Sequence, residues 1–271
     1  MIRDVLSRHK LVGLALLVLA LMMAAGWFSD IDPQRINVIQ RLRPPSLDHF
    51  FGTDDFGRDV FARVIHGARM SLIVGFFVTV VACLIGAVMG LLAGFFHRLD
   101  AVLSRLLDAL MSFPDILLAI ALMAAIGPSV FNVVLALGLA YAPRIGRVVR
   151  SGTLALRHAS YIEASTAIGA SNVRLLAIHV LPNVTPLLLV QGTFVFAFAM
   201  LTESALSFLG TGVPPEVPTL GNMIASSQLY FRSAAWMMVF PGIAIATAVL
   251  CLQTVGDELR DSLDPILRNV R

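Results

Sequence analysis

Residues 159–183 read ASYIEASTAIGASNVRLLAIHVLPN, and the rest of the chain is arranged around how that stretch folds. It lies between apolar spans, yet it is too polar to cross a bilayer and too regular to be a loose linker. Helix formers fill 161–168, with Ala164, Ala167 and Ala170 keeping one surface shallow. Gly169 interrupts them, and a glycine in a helical pattern either weakens the helix or supplies a turn that needs φ > 0. Ser171 or Asn172 can cap a second helix through Arg174, Leu175, Leu176 and Ile178. Pro182 is expected to end it, because the residue before a proline is pushed out of the α region. The pattern predicts helix, glycine turn, short helix and proline stop: a rigid knuckle shaped to press on another body.

What carries the knuckle is set by composition. Apolar residues make up 58% and charged residues 14%, with a mean hydropathy of +0.84, outside the range of an ordinary soluble domain. A helix needs roughly 18 or more apolar residues to span a hydrocarbon core, and several stretches qualify. Cys83 and Cys251 each sit inside an apolar run and read as small buried hydrophobes, with no disulfide frame or metal spacing. A pI of 9.3 could suggest nucleic acid, but the basic residues flank apolar spans, which reads as membrane orientation instead.

In chain order, Arg3, Arg8 and Lys10 oppose Asp4, and residues 11–28 form a first, uncharged span. A basic start with Ala24-Ala25 also resembles a cleaved signal, but the run exceeds the usual ~7–15-residue signal core, which favours a retained anchor. Residues 29–69 hold six Arg and six Asp, an extended Pro44-Pro45 and a turn-rich FGTDDFGRD at 51–59. Val60, Phe61, Val64 and Ile65 share a helical face, predicting an amphipathic helix on the membrane surface over 60–69. Further spans are expected at 70–96, 102–126, 129–142, 184–208 and 237–255. The third contains Asp108 and Met111-Ser112-Phe113-Pro114-Asp115, where Pro114 should kink it. The fourth ends at Pro143-Arg144, the fifth carries Glu203, a proline-rich loop covers 210–236, and Pro241 lies in the sixth. The chain therefore divides into 1–28, an outer segment 29–69, and a five-helix core 70–271 that includes the knuckle. Ala82, Gly86, Gly90 and Gly94 recur every fourth residue, a stripe that lets helix backbones approach closely in lipid.

With the N-terminus inside, thirteen Lys and Arg fall in inner segments and seven in outer ones. The excess places both termini and the knuckle in the cytoplasm. Little chemistry is encoded. Lys10 is the sole lysine, so no phosphate-cradling lysine follows a glycine-rich turn, and no HExxH, CxxC or GxSxG occurs. The largest cytoplasmic stretch, about forty residues, is too small for a separate catalytic domain. The chain reads as the membrane part of a machine driven by another protein.

Glu163-Ala164-Ser165, Gly169 and Leu181-Pro182 resemble the EAA loop of ABC-importer permeases: EAA, three residues, G, nine residues, I, one residue, LP. Ser165 replaces the second Ala, and His179 stands where the pattern has Ile. His-Val-Leu-Pro-Asn is similar to the variant of peptide-transporter permeases. FGTDDFGRD at 51–59, Gly67-Ala68-Arg69, Phe113-Pro114-Asp115, ESALSFLG at 203–210 and LRDSLDP at 259–265 extend the resemblance to the C-type permease of dipeptide, oligopeptide and nickel importers. The resemblance implies an all-α type I ABC-importer permease fold with six transmembrane helices in a bacterial inner membrane. It implies a second homologous permease, two ATPases that bind ATP and Mg, and an extracytoplasmic solute-binding protein as partners. No cofactor, metal or nucleic acid is expected in this chain.

By the same resemblance, Glu163 makes polar contacts with an ATPase, Ala164 and Ser165 allow close approach, Gly169 sets the elbow angle, and Leu181-Pro182 fix the return. Glu203 and Asp115 lie in spans, where a charge commonly faces a cavity or a partner, and both are candidates for the translocation path. For Glu203, structural pairing ranks ahead of contact with cargo. Asp115 can answer backbone donors freed by Pro114 or an Arg of the partner permease. Di- and oligopeptides lead as cargo, with nickel chelates and glutathione-like solutes as alternatives. A self-sufficient secondary transporter predicts internal repeats, and none is clear. An enzyme anchor predicts haem- or quinone-binding histidines inside spans, but His66, His97, His158 and His179 fall in loops or at span edges.

Overall fold

Backbone N–H and C=O groups find no water in hydrocarbon, so an apolar chain must satisfy them internally, within helices. The computed structural model, which describes residues 2–28 and 32–263, meets that demand. Among those residues there are ten α-helices and no strand beyond one isolated bridge, Thr53 with Asp59.

Four rods are long and apolar enough to cross a membrane: α2 (Val60–Phe95), α5 (Val130–Arg157), the run Asn172–Phe208, and α10 (Trp236–Leu263). A fifth crossing exists if α3 (His97–Met111) and α4 (Asp115–Ile126) are taken together. In α1 (Ile2–Phe28) the apolar part is shorter, Lys10–Gly26. The expected six spans thus become four rods, a broken pair and one shorter helix. The tail beyond Leu263, with the end of the LRDSLDP stretch, lies outside the described residues.

Four boundaries differ from the sequence expectation, each for a physical reason. No separate surface helix covers 60–69, because α2 runs unbroken for 36 residues from an N-cap at Asp59, whose side chain accepts from Ala62 N. Its first turns pack into the protein, with Val60, Ala62, Val64 and Ala68 buried in the core. The third span is broken, not kinked. Its halves meet at 92°, since Pro114 supplies no N–H and sits before α4 with extended ψ. Pro143 does not stop α5, which continues through Arg144, Arg147 and Arg150 to Arg157.

Pro182 also fails to stop its helix. A single α turn, α7 (Asn172–Arg174), widens into a π-helical segment over Leu175–Val180, and α8 (Leu181–Phe208) follows directly. Leu181 N donates to Leu176 O, five residues back. That wider turn shifts the carbonyl that the proline ring would strike in an α-helix.

The core forms where α5 lies along α2. Gly90 is buried there: a Cβ on it would sit 2.5 Å from Gly146 O and 2.7 Å from Val149 Cβ. Gly86 meets Ala142 and Ile145 as closely. The small-residue stripe is therefore the α2–α5 contact, extended by Val78, Leu137 and Val184. A second cluster joins α2, α8 and α10 to α9 (Leu220–Ser227), a helix inside what sequence presents as a proline-rich loop. The outer segment folds as a cap on this end. Phe51 stacks on Phe240 at 3.9 Å between centroids, and Trp236 Nε1 donates to Thr53 O. Asp54 accepts from Phe56 N, Arg58 N and Arg58 Nε, so these acids are committed to turns.

Candidate functional site: an exposed elbow and an ionic ladder

The elbow begins with α6 (Ser160–Ala167). Gly169, at φ +88°, donates to Thr166 O, and Ala170 N donates to Ser165 O. This is the left-handed helix end in which two backward bonds satisfy the last carbonyls. A side chain at 169 would be strained there, although nothing lies within 4 Å of its Cβ position. Ser171 then caps the return arm by accepting from Arg174 N.

Two arms joined by the four residues 168–171 would still swing unless both were seated. Ile162, Leu175 and Val180 seat them, each 3% exposed or less. The Tyr161 and His179 rings, 6.2 Å apart, brace one arm against the other. That contact gives the His at the Ile position a role in stiffness. On the opposite side Glu163, Ala164, Gly169, Leu181 and Pro182 are exposed, and Ser165 is half-buried.

The exposed crest also carries two residues that the sequence reading passes over, Ile168 at 86% exposure and Val173 at 77%. Their signal is available in sequence: each is apolar beside the glycine turn and out of register with the buried positions Ile162 and Leu175. A stiff crest with bare aliphatic tips is the shape of a surface awaiting a partner.

Asp115 pairs within its own chain. Arg144 Nη2 donates to Asp115 Oδ2 at 3.0 Å, so an arginine of α5 answers it within the chain. Arg144 lies over the Tyr141 and Phe198 rings, and Tyr141 Oη bonds Thr202 Oγ1. The pair heads a ladder. Arg147 pairs with Asp108, and Arg150 holds both carboxylate oxygens of Asp100 at 2.6 and 2.9 Å. Arginines three apart on α5 thus grip α3 along its length and α4 at its first residue. Three charges that sequence assigns to a loop belong to a helix–helix seam.

Glu203 is fully enclosed, at 0% exposure. Ser207 Oγ donates to its Oε1 at 2.9 Å and Ser71 Oγ to its Oε2 at 3.5 Å, while Ser71 Oγ accepts from Leu220 N. The carboxylate ties α2, α8 and the start of α9 together. Its side chain has no open face in this conformation, the arrangement expected of a structural pairing.

Among the described residues, no three His, Cys, Asp or Glu side chains are grouped to hold a metal.

Comparison with known proteins agrees with this geometry. The family model for binding-protein-dependent transport system inner membrane components matches residues 82–269. A putative peptide transport system permease protein of Brucella abortus is 45% identical over 267 residues, 97% of this chain and 90% of the relative. The dipeptide transport system permease protein DppC of Alkalihalophilus pseudofirmus is 40% identical, over 97% of this chain and 88% of its own length. Among solved structures, the MetNI methionine ABC transporter in an inward-facing conformation shares the fold at TM-score 0.60 and 21% identity, covering 77% of this chain and 96% of that one. An amino acid ABC transporter crystallised with histidines gives 0.55 and 14%, covering 75% and 95%.

Proposed function

We propose, for a chain that belongs to the binding-protein-dependent transport system inner membrane components, that it is the permease subunit of a peptide importer moved by a separate ATPase. Its spans supply part of the path and its elbow receives the work. The relatives' names point to peptides of two or a few residues as cargo.

The observation that carries the reading is the elbow itself, seated through Ile162, Leu175 and Val180 and bare at Glu163, Ala164 and Ile168. Motion is transmitted only through an element that does not absorb it. In this reading Ile168 and Val173 enter an apolar groove of a cytoplasmic ATPase and Glu163 makes the polar contact beside them. Ser165 and Gly169 keep the approach close, and Leu181-Pro182 carry the push into α8. ATP and Mg are held by two such ATPases, a second permease completes the path, and an extracytoplasmic binding protein delivers cargo. Both termini then lie in the cytoplasm. Asp115 with Arg144, half-exposed between α4 and α5, is the polar pair that this chain offers to the path.

Co-expression with the ATPase subunits tests the reading. Ile168→Asp should release the ATPases during detergent purification and abolish peptide uptake while the permease keeps its melting temperature; Gly169→Val, strained at φ +88°, should do the same with some loss of melting temperature. ATPases that remain bound to both variants would refute the docking role. So would labelling of Ile168→Cys by an impermeant maleimide from outside intact cells.

A further inference from the structure

We infer that the cavity between the elbow and the α2–α3 turn binds the phosphodiester headgroup of an anionic phospholipid. The cavity measures about 570 Å³ and is bounded by the end of α2, the start of α3, the end of α5 and the inner side of the elbow. Arg98, Arg157 and His97 line it, and no carboxylate does.

The contrast along α5 carries the argument. Arg144, Arg147 and Arg150 each hold an aspartate. Arg157, the next arginine on the same helix, makes no ion pair with any described residue, and neither does Arg98 across the cavity from it. Two guanidinium groups facing a common space without an anion are matched by a phosphate, which accepts from both forks. The start of α3, a 15-residue helix, adds the positive end of its dipole.

The rest of the lining says which phosphate. Phe95 ends the most apolar rod in the chain, the level at which aromatic rings meet headgroups. Leu99, 42% exposed, and the half-buried Phe96 give the cavity apolar surface. A soluble phosphate would leave that surface wet, whereas the glycerol and first methylenes of a phospholipid cover it. Basic pockets between membrane helices take acidic headgroups by this combination of charge and apolar wall. The site's place in the cytoplasmic leaflet rests on the sidedness proposed above; the binding does not.

The test is native mass spectrometry of the full chain, delipidated in neutral detergent and titrated with phosphatidylglycerol or phosphatidylcholine. The wild type should retain phosphatidylglycerol roughly tenfold or more over phosphatidylcholine. Arg98→Gln with Arg157→Gln should remove that preference, and Arg98→Gln alone should weaken it. Arg105→Gln, on the same helix but off the cavity, should leave it intact. Equal retention of the two lipids by the wild type, equal loss in the Arg105 variant, or displacement by glycerol 3-phosphate would each overturn the proposal. If the preference is absent while ATPases still co-purify, the lipid site fails and the importer reading stands. If the preference is present without ATPase binding, the lipid site stands and the importer reading fails.

Discussion

One helix, α5, is held along two sides by opposite means. Toward α2 the contact is made by backbone and small side chains: Gly86, Gly90 and Gly94 lie against Ala142, Gly146 and Thr153 with no room for a Cβ. Toward α3 and the start of α4 three arginines reach three aspartates, beside the apolar packing of Leu107 on Gly146 and of Ala119 and Met123 in the core. Close-packed backbones lose their attraction within a fraction of an ångström of separation. Long charged side chains keep part of theirs over several ångströms and can exchange partners. The comparison predicts that the α2–α5 seam tolerates less displacement than the ionic side of α5.

The severest challenge to that contrast is Gly90→Leu. Its side chain has to displace Val149 and the Gly146 carbonyl, and overpacking of this kind costs about 1–3 kcal/mol or more. The expected outcome is a large fall in melting temperature in detergent, or no folded protein. A variant as stable as wild type would remove the close seam from the account.

Next in size is Glu203→Ala, on the tightly packed side of the molecule. It strips Ser71 and Ser207 of their acceptor, a loss of about 1–3 kcal/mol, whereas Glu203→Gln keeps shape and acceptor and should lose less. Thermal unfolding ranks the two. Equal effects would show that the carboxyl group itself, not its place in the network, matters.

The ladder should give a graded and smaller series. Arg150→Ala breaks a bidentate, mostly covered pair and should cost about 1 kcal/mol or less. Arg147→Ala, from a pair more than half exposed on both sides, should leave melting unchanged. Added salt should narrow the Arg150 effect and leave the Gly90 effect as it was. A salt-sensitive glycine seam or a salt-blind ladder would dissolve the distinction.

The smallest effect belongs to the cap, outside both seams. Burial pushes the Asp55 carboxyl up from its ordinary range, and Asp54 beside it pushes the same way. Oδ1 of Asp55 also lacks a hydrogen-bond partner. A raised carboxyl favours the folded state below the ordinary carboxylate pKa, and that advantage is lost as pH rises through the raised value. Asp55→Asn should therefore melt slightly higher at neutral pH, and the gain should vanish as pH falls to the ordinary carboxylate range. A gain that persists in acid would place its cause elsewhere.

Much of this is legible in sequence because it is local. Hydropathy marks α2, α8 and α10 directly. Gly169 predicts a left-handed residue, and the spacing of Gly86, Gly90 and Gly94 predicts a close helix contact. What sequence hides is either angular or long-range. Ser112-Phe113-Pro114 announces a break but not a 92° turn. Pro143 and Pro182 read as stops because local rules cannot see a π turn, or a helix held in place by its neighbours. Arg144 and Asp115 are 29 residues apart, so their pairing is a property of packing, and counting Arg144 as a loop charge follows from the low hydropathy around it. Glu203 looks available to cargo in sequence since nothing in its own helix announces Ser71 or the start of α9.

The π turn before Pro182 has a mechanical consequence. By absorbing the proline it leaves Asn172–Phe208 a single rod of 37 residues, roughly 55 Å long at a rise of about 1.5 Å per residue. A lever of that length, tilted at its Asn172 end by one degree, sweeps its far tip sideways by roughly 1 Å. On the importer reading proposed above, a few degrees of tilt imposed at the elbow would move the opposite end by several times that distance.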